Sequence, residues 1–262
     1  MRPKTGSTTS DELIYLYNAS AVAATGYLTL PVSSLMELQA SIALPMGGGY
    51  GRVRVENFTH HGIFTFRSAE SEVGGRSSVK KNSRNTLAQS VIEGFNVHNM
   101  VTCDRIVSRI AVHQPMDGSP ASIVPFGSTF ENLRIGGYLI EPDLATDWFT
   151  EYDTFDKFAA YYPTIKDQFN KMSMIPSKDG ELPQAKGIVG CTLVRGYKLP
   201  LPGGITQVGL GLQVPEFGMV YLAEFFMEQN KRQLRMIRTE LGCGSEGCYG
   251  GGSTSGNGVG WP

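Results

Sequence analysis

The chain has 262 residues, enough for one large β domain or two small ones, and a formal net charge of −1 from 23 Lys+Arg against 24 Asp+Glu. That balance offers no basic excess for a nucleic-acid partner and no acidic excess for a solvating tail. Only 18% of residues are charged and 32 are glycine, which suits turn-dense β structure and surfaces that pack on other surfaces.

Residues 1–12 are polar, and Met1–Ser7 has no apolar core behind it, so no signal peptide is read there. No window approaches the roughly 18 apolar residues of a spanning helix, which predicts no membrane insertion. Residues 13–30 are rich in Leu, Tyr and Ala and read as two strands meeting at Gly26. Pro45 with Gly47, Gly48 and Gly49 marks a loop.

A ten-residue phrase then occurs three times, at 56–65, 93–102 and 131–140. Each copy is a strand, a Gly or Asn pivot and a second strand. With Gly26 included, the pivots stand at 26, 62, 99 and 137, a spacing of about 37 residues that marks a repeated supersecondary unit. Gly and Asn suit the positive φ of a tight reversal. Polar segments at 74–85 and 114–120 separate the copies.

Glu56, Glu93 and Glu131 occupy one column, and Phe58, Phe95 and Leu133 another. Stacking the carboxylates about 4.8 Å apart, as in a parallel solenoid, would set like charges against each other. Antiparallel hairpins avoid this. The apolar column must face a core in either case.

Residues 143–175 break the pattern. Phe155, Phe158 and Ala159 share a helical face, Thr154 is a candidate cap, and Pro163 should interrupt the helix. A fifth, weaker copy is read at 190–199. Residues 218–240 form a hairpin around Gln229, Asn230 and Lys231. The Gly/Ser-rich stretch 242–262 reads as a flexible tail, or as a segment that orders by docking on a neighbouring copy. Together these elements predict a single all-β domain over 1–262. Its two-strand units form a β-sandwich, barrel or β-solenoid, with a helical insertion at 143–175 and a Gly-rich C-terminal tail at 242–262.

Candidate chemistry is sparse. His61 and His98 are equivalent in neighbouring copies, and two imidazoles on one face are candidate metal ligands, although no third ligand is visible at useful spacing. His60 reads as a packed side chain. The Glu56, Glu93 and Glu131 column offers acids for glycoside hydrolysis, which needs two carboxyls at fixed separation. No nucleophile elbow or phosphate-binding loop is present, and no cofactor is expected. Cys243 and Cys248 are close enough to bridge, and too few cysteines remain for a disulfide framework. Tyr249 and Trp261 are the candidate assembly anchors within the tail.

The phrases Val101, Thr102, Cys103, Asp104 followed by Ile106 and Val107, the run from Gly127 to Leu133, and the Val214–Gly218 turn with Leu234, Met236 and Ile237 resemble bacterial surface proteins of the choice-of-anchor P family. The resemblance covers about half the chain. It implies a β-rich, non-enzymatic protein at the cell surface or outside the cell; without it, the reading is cytoplasmic. The expected function is structural: copies associate through β surfaces or edges into a homo-oligomer or filament. The alternatives are a module binding carbohydrate or another ligand through loops 45–50, 74–85 and 114–125, with a glycan as partner, and a hydrolase using the Glu column.

Overall fold

The computed structural model describes residues 14–257 and 260–261. Its first strands are β1 Ile14–Tyr15, β2 Asn18–Leu30, β3 Ser34–Ala43, β4 Gly49–His60, β5 Phe64–Ser78, β6 Ser83–Val97 and β7 Val101–Pro115. Short strands follow: β8 Ser122–Val124, β9 Thr129–Glu131, β10 Arg134–Ile135, β11 Tyr138–Leu139 and β12 Pro142–Leu144. Helices α1 Thr146–Glu151 and α2 Phe155–Met172 lead to β13 Val189–Thr192, β14 Val194–Tyr197, β15 Thr206–Val208 and β16 Gly211–Val214. The chain ends with β17 Gly218–Glu228, β18 Lys231–Cys243, β19 Ser245–Asn257 and β20 Gly260–Trp261.

Two antiparallel sheets carry the fold. The first has the order β11-β10-β7-β6-β5-β4, with β8 and β9 also on β7. The second has the order β15-β16-β17-β18-β19-β2-β3, with β13 on β17. They pack face to face: β2 lies over β5 and β6, and β19 over β6 and β7. The protein is therefore an all-β sandwich with a small helical insertion, neither a closed barrel nor a parallel solenoid.

The three repeated phrases all lie in the first sheet and meet antiparallel neighbours. Phe95 and Leu133 are buried, and half-buried Phe58 packs against the same core. The repeat carries two backbone devices. At each reversal two consecutive residues have positive φ: His61 and Gly62 (51° and 69°), His98 and Asn99 (52° and 55°), Gly136 and Gly137 (59° and 82°). Upstream, Asn57, Gly94 and Asn132 (53°, 67° and 53°) also adopt the left-handed conformation and interrupt the ladder. The turns stack alike: His98 N–H donates to Ile63 O at 2.8 Å, and Gly136 N–H to Met100 O at 2.7 Å.

The sheets divide the volume of the core unequally. The first supplies Phe64, Phe66, Ile92, Phe95, Ile106 and Ile110, all buried. The second faces them with the alanines of β2 and the glycines of β19. A Cβ on Gly251 would lie 2.9 Å from Ile92 Cδ1 and 3.1 Å from Phe95, and one on Gly256 3.1 Å from Val112. Small residues here are the room that the large ones fill.

Several sequence expectations are corrected. The stretch 242–262 is not a flexible tail through its described part: β19 sits between β18 and β2, because its missing side chains admit the opposing sheet. Gly26 is no pivot. β2 runs straight through it with a register shift, and Gly26 makes room for the Tyr249 ring. The segment 190–199 is not a repeat hairpin, since β13 pairs with β17 and β14 with β12. The segment 74–85 is mostly strand, with the reversal confined to 79–82.

The helical insertion is present, and Thr154 caps α2 by accepting from Lys157 N–H at 3.2 Å. Pro163 does not interrupt it. The ring lies on the exposed face, while Phe158, Tyr162, Ile165, Phe169 and Met172 are buried on both sides of it and hold the helix together. Phe149 of α1 meets Phe225 of β17 at 4.7 Å and stacks on Phe158 at 4.8 Å, which joins the helices to the sandwich core.

Candidate functional site

Glu56, Glu93 and Glu131 lie in one row across the first sheet, separated by Ser68 and Arg105, and His61 and His98 occupy neighbouring turns of the same sheet. His61 and His98 sit in exposed turns, and their equivalence comes from a shared backbone conformation that histidine tolerates. Among the described residues no group of three or more His, Cys, Asp and Glu side chains is placed to hold a metal ion. Glu56 pairs with Arg54 at 2.9 Å, and Glu131 with Arg105 at 3.0 Å. Glu93 accepts from Ser68 Oγ at 3.0 Å, and this bond, then Arg67, holds its carboxyl below the usual range. A glycosidase acid needs the opposite shift. Cys248 is a free thiol opposite Glu240, and the side chain of Cys243 lies outside the described residues.

Trp261 pairs through its backbone with Ile14. Tyr249 is fully buried between the sheets. Its ring stacks on Phe64 with centroids 5.1 Å apart, and its hydroxyl lies 2.8 Å from His60 Nδ1. His60 Nε2 lies 3.2 Å from Ser34 Oγ. A polar line from β3 through β4 to β19 thus clamps one margin of the sandwich. Burial pushes the Tyr249 hydroxyl up to about 12, so it stays protonated. Burial, then the neighbouring His61, lowers His60 below the ordinary histidine value.

This margin is where the two sheets present long edge strands, β3 and β4, each paired on one side only among the described residues. The two edges differ. β4 carries Arg52, Arg54 and Glu56, and Arg52 is bound to Glu70 at 2.6 Å. β3 has one charge, Glu37, and exposes Leu35 (81%) and Leu38 (57%). Tyr27, opposite Leu35 in register, Leu30 at the end of β2 and Val32 of the connection before β3 extend this apolar surface. Charged side chains are a usual guard on an exposed edge, and β3 has almost none. The signal was legible: Leu35, Met36 and Leu38 are one apolar residue too many for a strand with one face in the core. Leu35 is the surplus residue; Leu38 shares the parity of Met36 but lies at the register shift between β2 and β3, and it stays in solvent while Met36 is buried.

A family described as a domain of unknown function, DUF8256, matches residues 15–228. The chain belongs to that family. In this DUF8256 chain the matched stretch covers β2 through β17, so the edge β3 and the repeat sheet fall inside it and β18 and β19 beyond it. No curated protein and no solved structure matches the chain. No described helix is long and apolar enough to cross a membrane.

Proposed function

We propose that this DUF8256 protein is a non-enzymatic structural module that self-associates, a second copy pairing antiparallel with edge strand β3. The observation that carries the reading is the long, nearly uncharged β3 with Leu35 and Leu38 in solvent. Its free backbone groups are a template for another strand, and a two-fold axis through β3 would make the same patch complementary to itself. The outermost strands at the opposite margin, β15 and β11, have 3 and 2 residues and are poor templates. A closed pair of copies fits this asymmetry better than an open filament. The surface location implied by the sequence resemblance belongs to the same reading, and antibody labelling of intact cells reports on it.

The test is the mass of the purified chain in solution by light scattering. Twice the chain mass of 28.5 kDa is expected, falling to one chain in the double variant Leu35→Lys, Leu38→Lys with unchanged circular dichroism. A wild-type monomer at high micromolar concentration sinks the proposal.

A further inference from the structure

The outer face of the first sheet carries a trough that the edge does not use. Its axis runs across the strands, along a row fixed by register: Tyr50 opposite Gly74, Gly74 opposite Leu87, Leu87 opposite Ala111, and Ala111 opposite Val124. The row is tall at its Tyr50 end and low at Gly74, where a side chain would meet nothing nearer than Tyr50 Cδ2 at 3.8 Å. Polar rows flank it on both sides. One is Arg76, Asn85, His113 and Ser122; the other is Arg52, Glu72, Gln89 and Arg109. The cavity over this row measures about 720 Å³, and Tyr50, Glu72, Arg76, Asn85, Leu87 and His113 all line it. That volume lies in the range of small-ligand sites built from an apolar floor and a few placed polar groups.

We infer that this trough binds a short, uncharged oligosaccharide lying across strands β4 to β8. A sugar ring has an apolar face of C–H groups and a rim of hydroxyls. An apolar row between two hydrogen-bonding rows offers the matching surfaces in the matching order. Tyr50, 65% exposed, presents an aromatic ring at the end of the row. Asn85 and His113 are already oriented toward each other, with Asn85 Oδ1 2.8 Å from His113 Nδ1, and Asn85 Nδ2 donates one N–H to Ser83 Oγ at 3.4 Å, which leaves its second N–H as a donor for a ligand. Arg52 is paired with Glu70, Arg109 donates to Gln89, and Glu72 stands between them, so two of the three wall arginines already spend guanidinium donors within the sheet. Four inter-strand steps of about 4.8 Å give a row of roughly 19 Å, which suits a short chain of sugars over a single ring. β4 is an edge strand, so the trough is open at the Tyr50 end and a longer glycan can run past it.

The experiment is a printed array of neutral glucan, mannan and galactan oligosaccharides, with uronic-acid and sulfated oligosaccharides beside them, probed with the full chain and followed by calorimetry on the best-retained sugar. Retention of neutral sugars is expected. Tyr50→Ala, and separately Asn85→Ala, should each weaken it about tenfold, with thermal melting unchanged because these side chains lie outside the core. The edge variant Leu35→Lys, Leu38→Lys should bind as wild type, which separates this site from self-association. Retention of no neutral glycan, retention of acidic glycans alone, or affinity indifferent to both trough variants would each overturn the assignment.

Discussion

Gly26 shows how one residue type hides two opposite jobs. In the sequence Gly26 and Tyr27 look like Gly137 and Tyr138, and both glycines read as pivots. Gly137 turns the chain with φ 82°. Gly26 lies inside a straight strand, where a Cβ would strike the Tyr249 ring and come within 2.8 Å of Cys248 O. Gly26→Ala is therefore expected to destabilise the fold by about 1–3 kcal/mol in urea unfolding, the cost of forcing atoms into a filled core. The cost should shrink when Tyr249 is also truncated, because the main obstacle is gone. An unchanged midpoint for the single variant would mean that this contact is loose. The same ambiguity explains the misread tail: Gly251, Gly252 and Gly256 are strand residues because large side chains of the other sheet press against them. That pressure comes from residues more than a hundred positions away, and no local pattern records it.

At the scale of elements, the repeat was the most legible feature, and its reason is backbone chemistry. The phrase pairs Glu with Asn or Gly and then Phe or Leu. Its second position is left-handed in every copy and its third position packs on the core. Antiparallel pairing followed from the carboxylate column, and the observed ion pairs show those carboxylates answered by arginines. The helix boundary at Pro163 was misplaced because local propensity was set against tertiary packing and packing won. Pro163 removes the N–H that would bond Ala159 O, yet five buried side chains span it. Its exposed ring contributes little to offset that loss. Pro163→Ala should raise stability by about 1–3 kcal/mol, read as a higher denaturation midpoint with the same slope. A lower midpoint would show that the ring is needed where it stands, for instance in fixing the bend of α2.

On the whole-molecule scale, the margin bearing β3 and β4 couples three things: the seam between sheets, the unguarded edge and the one histidine held below its ordinary range. His60 touches Ser34 of β3 and Tyr249 of β19, so its charge state bears on how the second sheet sits against the first. In the unfolded chain His60 titrates near 6.5; in the folded chain burial and then His61 lower it. Between those two values the unfolded state binds more protons than the folded one. The contribution of His60 is therefore whole above the ordinary value and is lost as pH falls through the window beneath it. Glu93 and Asp153, also held low, add a second loss only at more acidic pH, below the ordinary carboxylate range. Urea unfolding at about pH 7.5 and about pH 5.5 should then show a falling midpoint in the wild type. His60→Gln keeps a polar side chain at the seam but cannot take up the proton. It should flatten that first descent and leave the more acidic one in place. A wild-type midpoint constant between those two conditions, or an undiminished descent in the variant, would sink the assignment of a pH response to this seam.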